Sequence, residues 1–201
     1  MIHMIDTVME KAKGFLLQPV ETFRKSGADE PSSVFLYFIV LLVINAFLSA
    51  VVAAAVVGMI ALFAGISLGA PFPVIVFFGV LIGGSILTLI FAAWVHLWVY
   101  LFGGRKGIMQ TIRVILYGQT PRLLFGWIPL LGFLFLLWSL VLSILGIREL
   151  QELSSMKAIL VMAIAVLIPL IAIILIAAYL FIASSAVTGF HSPGPVPAFL
   201  Q

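Results

Sequence analysis

Four long apolar runs constrain this chain more than any other feature: residues 34–64, 74–102, 127–147 and 156–185 hold a single charged side chain among them, Lys157. Each run reaches the roughly 20 residues that an α-helix needs to cross a bilayer. In lipid every backbone donor and acceptor must be satisfied within the protein, which leaves helices or a closed barrel. A barrel would show segments of about ten residues with alternating polarity. These runs are apolar on every face, so the fold class is all-α, a polytopic membrane helix bundle.

Only 8% of the 201 residues are charged, against about 25% in an ordinary soluble domain. No Ser-rich or charged linker divides the chain. The expected organisation is an amino-terminal interfacial segment over 1–33, a five-span membrane domain over 34–185 and a flexible tail over 186–201. There is no cysteine, so disulfides and thiolate metal sites are excluded. The net charge of +3 reads as a topology signal. No nucleic-acid partner is expected.

In the opening stretch Ile2, Ile5, Val8, Met9, Ala12, Phe15 and Leu16 recur at helical spacing, with Asp6, Glu10 and Lys13 on the opposite side. This pattern predicts an amphipathic helix, lying in the headgroup plane or packed beneath the bundle. Those charges interrupt any apolar signal core, so the first span is expected to be retained. Pro19 ends the helix because it lacks an amide donor and restricts Gln18. Pro31, Ser32 and Ser33 supply a sound start for the first span.

The first span exceeds the length needed to cross. The second carries Gly79, Gly83 and Gly84, a small-residue face suited to close helix approach within the chain. The third, residues 108–125, is short and polar, with Gln110, Arg113, Tyr117, Gln119 and Arg122, and barely long enough to cross. The fourth follows Trp127 and Pro129. The fifth starts after Ser154 and Ser155 and contains Pro169, which predicts a kink.

Eight of the ten basic residues, Lys11, Lys13, Arg24, Lys25, Arg105, Lys106, Arg148 and Lys157, fall before span one, between spans two and three, or between four and five. The positive-inside rule then predicts a multi-pass protein of the cell membrane, amino end cytoplasmic and carboxyl end outside. If 108–125 only dips into the bilayer, the count becomes four and 148–157 moves outside.

An ordered set of short elements resembles the Yip (Ypt/Rab-interacting protein) family, in particular its short prokaryotic-type members, over about residues 14–185. The carriers are Gln18-Pro19-Val20-Glu21-Thr22-Phe23 before the first span, Tyr117-Gly118-Gln119-Thr120-Pro121 in the middle segment, and Gly146-Ile147 followed by Ser155-Met156-Lys157-Ala158. The family-motif residues are therefore Pro19, Thr22, Phe23, Tyr117, Gly118 and Pro121. The resemblance implies a five-span YIP domain that works by association in membrane organisation. Eukaryotic relatives bind Rab GTPases through a long cytosolic amino-terminal region and an Asp-Leu-Tyr-Gly-Pro motif. This chain has a short amphipathic segment in that place, so a Rab-type GTPase is not an expected partner. The expected partners are the lipid bilayer and other membrane proteins or a homo-oligomer.

Enzymatic constellations are absent from the sequence. His3, His96 and His191 have no metalloprotease spacing, and there is no phosphate loop or nucleophile elbow. The pairs Asp29 with Glu30 and Glu149 with Glu152 read as solvated loop charges. No enzyme activity, cofactor or metal is expected.

One polar feature stands out. Gln110, Arg113 and Tyr117 share a helical face at steps of three and four, Ser85, Thr88 and His96 share another, and Asn45 is a further candidate. A cation in hydrocarbon costs about 2.5–3.5 kcal/mol on insertion scales, so Arg113 is expected to face the second span, whereas Arg122 near the helix end snorkels. Two readings stay open. One is a structural network inside a non-enzymatic scaffold or adaptor that assembles with other membrane proteins or shapes lipid. The other is a small transporter or channel with a polar intramembrane site around Arg113.

Overall fold

The computed structural model describes residues 2–64, 69 and 71–190. The expectations for the remainder of the 65–73 loop, for His191 and for the tail from 191 onward lie outside the described residues. Among the described residues every regular element is helical: α1 (Ile2–Leu17), α2 (Pro19–Ser26), α3 (Pro31–Ala64), α4 (Pro71–Phe78), a π-helical turn at Gly79–Gly83, α5 (Gly84–Leu101), α6 (Ile108–Gly118), α7 (Thr120–Phe125), α8 (Leu131–Leu150) and α9 (Ser155–Phe190). Four stretches are long and apolar enough to cross a membrane: Pro31–Ala64, Pro71–Leu101, Leu131–Leu150 and Ser155–Ser185.

The segment expected to be a short third helix is two helices broken at Gln119. The cause is local. Pro121 has no N–H to give the carbonyl four residues back, which belongs to Tyr117. The Thr120 hydroxyl donates to that oxygen instead, at 2.6 Å. Neither piece alone reaches the length of a span.

Residues 1–162 form one compact unit. At its base, Phe15 of α1 meets Phe23 of α2 edge-on at 4.8 Å and stacks on Tyr117 of α6 at 4.7 Å, with Tyr37 of α3 5.2 Å from Tyr117. All four rings are buried. Ala12 of α1 is buried with them, while Asp6, Glu10 and Lys13 are exposed. Helices α6 and α8 approach closely at two glycines. A Cβ on Gly118 would lie 2.5 Å from the Ser143 hydroxyl, and one on Gly146 would lie 2.9 Å from Val114 of α6 and 2.8 Å from the Phe23 ring of α2.

Gln151, just after α8, donates to the Gly107 carbonyl at 2.9 Å and accepts from the Lys106 amide at 3.2 Å. The turn before α6 and the turn after α8 therefore sit together. Between them the chain runs away through α6 and α7 and returns through α8. The second unit begins at Ala163; within it α9 continues through Pro169 without ending, and its large apolar side chains, such as Ile171, Ile174 and Phe181, are exposed.

Candidate functional site

The residues singled out from the sequence fall into two tiers with different partners. The lower tier is the Gln110, Arg113 and Tyr117 face of α6, which meets the loop between α2 and α3. Gln110 donates to the Gly27 carbonyl at 3.1 Å. Arg113 donates to the Asp29 carbonyl through Nε at 3.2 Å and Nη2 at 2.6 Å. Tyr117 donates to the Asp29 carboxylate. Lys11 of α1 completes the group with an ion pair to the same carboxylate oxygen at 2.6 Å, its ammonium 5.2 Å from the Tyr117 ring centre.

Arg113 thus turns to a loop rather than to the second span, and is half-buried. The reason is geometric. A loop carbonyl lies within reach of both of its donors, whereas α5 presents His96 to a different residue of α6. His96 Nδ1 lies 2.8 Å from the Thr111 hydroxyl, whose oxygen accepts from Gln151 Nε2 at 2.9 Å. The Oε1 of Gln110 is buried with no partner.

The upper tier surrounds α7. Tyr37 bonds the Thr120 hydroxyl at 2.9 Å; because Thr120 spends its proton on Tyr117, Tyr37 is the donor. Asn45 donates to the carbonyls of Leu123 and Arg122 at 3.0 and 3.4 Å. Gln119 donates to Thr88 at 3.1 Å and accepts from Arg122 Nη1 at 3.1 Å. The Arg122 amide donates to Ser139 of α8 at 3.1 Å. Ser85 bonds its own helix, at the Leu81 carbonyl, 2.7 Å away.

The motif residues are the packing joints between these tiers. Pro19 opens α2. Thr22 donates to the Gln18 carbonyl at 2.8 Å, and Phe23 fills the space left by Gly146. Gly118 admits Ser143, and Pro121 is buried in the first turn of α7. A family model, the Yip1 domain, matches residues 13–191. The chain belongs to the Yip1 domain family. No curated protein and no solved structure matches it. This Yip-family chain is an integral membrane protein, given its family and its four long apolar helices.

Sequence reasoning missed Lys11, Asp29, Thr111, Gln119 and Gln151 as members of these tiers. The charges of Lys11 and Asp29 are visible in the sequence, but nothing local pairs residues 18 and 88 positions apart. Among the described residues no group of three or more His, Asp or Glu side chains is placed to hold a metal ion.

Proposed function

We propose that this Yip-family protein is a membrane adaptor, crossing the bilayer five times with its amino end cytoplasmic and its carboxyl end outside. In this reading it assembles with other membrane proteins or shapes the bilayer, without catalysis. The observation that carries it is the bareness of its apolar helices. Only 6% of the most apolar window in Pro71–Leu101 is buried, and 17% in Ser155–Ser185. Such helices leave a broad apolar side open to lipid and to other helices, where packing and interhelical hydrogen bonds drive association.

The transporter reading needs polar side chains lining a water-filled path. Arg113, Tyr117, Asn45, Thr88 and His96 each have a partner in the chain itself, which favours a network that holds helices in place. Five crossings are supported by Gln151 gripping Lys106 and Gly107. The excursion through α6 and α7 and the return through α8 start and finish at one end, so the basic segments 105–106 and 148–157 share a side, as the topology rule requires.

Single cysteines test the crossing number in a chain that has none of its own. Arg105→Cys and Ser154→Cys should both resist an impermeant thiol reagent in intact cells and both react after lysis; labelling of only one from outside overturns five crossings. For the adaptor reading, the protein in vesicles should pass no ions or small anions, and crosslinking in its native membrane should give a complex of fixed stoichiometry. A flux abolished by Arg113→Ala would make the lower tier a transport site.

A further inference from the structure

Arg122 is exposed, and its backbone and neighbours touch three apolar helices near their middles. Its amide bonds Ser139, at about 12 Å from Leu131 and about 16 Å from Leu150 by helical rise. Its carbonyl accepts from Asn45, about 21 Å along α3 from Pro31. Gln119, the side-chain partner of its guanidinium, is anchored on Thr88, about 20 Å from Leu101 and farther still from Pro71. Among the described residues Gln119 is the one side-chain hydrogen-bond partner of Arg122, and no ion pair reaches it.

A guanidinium is charged at any ordinary pH and carries five donors. At mid-depth on the outer surface of a bundle it is costly without a counter-charge. This chain cannot provide one: its seven acidic residues lie at positions 6 to 30 and 149 to 152, all outside the interior of the apolar runs. A second copy has the same lack. Lipid phosphates lie at the membrane surface, and the hydrogen bond to Gln119 turns the side chain back along the bundle at mid-depth.

We infer that Arg122, held by Gln119 and Thr88, is a docking point for a transmembrane helix of another protein that carries an Asp or Glu near its middle. This rests on the adaptor reading and names the chemistry of its partner. A carboxylate beside Arg122 makes charge-assisted, two-pronged hydrogen bonds and stays ionised because the adjacent cation favours that form.

The test uses the full chain in phosphatidylcholine vesicles and fluorescent Leu/Ala-rich transmembrane peptides that differ only in one central residue, Glu, Gln or Lys. Energy transfer should show the Glu peptide bound about tenfold tighter than the Gln peptide and the Lys peptide excluded. Arg122→Gln should abolish that preference, and Arg122→Lys should keep part of it. Equal binding of Glu and Gln peptides by the wild type, or an unchanged preference in Arg122→Gln, overturns the site. So does Arg122-dependent enrichment of labelled phosphatidylglycerol in place of the peptide. Native-membrane complexes formed at wild-type yield by Arg122→Gln overturn the docking point and leave the adaptor reading standing. Failure of the wild type to form any complex there overturns the adaptor reading itself, whatever the peptides do.

Discussion

The base of the bundle and the helix running from Pro71 to Leu101 are built from the same apolar alphabet and used in opposite ways. At the base, α1, α2, α6 and the end of α8 interlock through buried rings, close glycines and polar side chains that find partners in the chain. Along 71–101 one side packs on α3 and α6 through Thr88, Ala92, Val95 and Val99, while the other is bare, with Leu87 67% and Ile90 59% exposed. In water the second pattern would be an error. In a membrane protein it marks where the solvent is lipid and where another helix can sit. The base fixes a structure, and the bare helices meet the surroundings.

The largest expected effect lies at the base. Phe15→Ala or Phe23→Ala removes a fully buried ring from a cluster with no slack and should cost about 3–5 kcal/mol, read as a fall in the unfolding midpoint of the detergent-solubilised protein. Leu87→Ala, by contrast, should stay within about 0.5 kcal/mol of the wild type. Comparable losses at Phe15 and Leu87 would erase the distinction between the two regions.

Next comes Gly118→Ala. Its Cβ would fall 2.5 Å from the Ser143 hydroxyl and 3.3 Å from the Ser143 backbone, so α6 and α8 must separate, at about 1–3 kcal/mol. If Ser143→Ala restored the midpoint in the double variant, the hydroxyl alone would be the obstacle and the backbones would have room to spare.

A smaller effect separates the two arginines. Arg113→Leu strips the half-buried Asp29 carbonyl of two charged donors and should cost about 1.5–3 kcal/mol. Arg122→Leu gives up one hydrogen bond to Gln119 on an exposed surface and should change detergent stability by no more than about 0.5 kcal/mol. Equal losses would mean that Arg122 holds the bundle together and is not spare for a partner.

Local periodicity carried the readings that were legible in the sequence. The apolar runs gave the long helices, and steps of three and four placed Gln110, Arg113 and Tyr117 on one face; the break at Gln119 and its repair by Thr120 were not among the expectations, which had 108–125 as a single helix. What a face meets depends on how helices are offset, and no local pattern encodes that. Arg113 was expected against the second span and meets the loop before the first. Arg122 was expected to snorkel from the end of a helix over 108–125; the fold adds that its backbone bonds Ser139 of α8 and Asn45 of α3, both well inside those helices. Lys11 and Asp29 showed as charges, and only the fold shows that they share Tyr117.

The smallest expected effect concerns the ion pair on the exposed face of α2, where Lys25 and Glu21 stand 2.7 Å apart at helical i,i+4 spacing. The hydrogen bond and charge of Lys25 hold the Glu21 carboxyl below its usual range, against an opposing desolvation and with a smaller contribution from Arg24. A carboxyl depressed in the folded state contributes stability above its unfolded pKa, and that contribution is lost as the pH falls through its folded pKa. Glu21 is fully open to solvent, where water and salt screen the pair and ordering two long side chains offsets the attraction. Glu21→Gln should therefore leave the unfolding midpoint where it is at neutral pH and should not alter its dependence on acid. If that variant instead flattens the acid dependence, α2 is held at the base by charge as well as by Phe23, and the packing of aromatic rings is not sufficient to define that region.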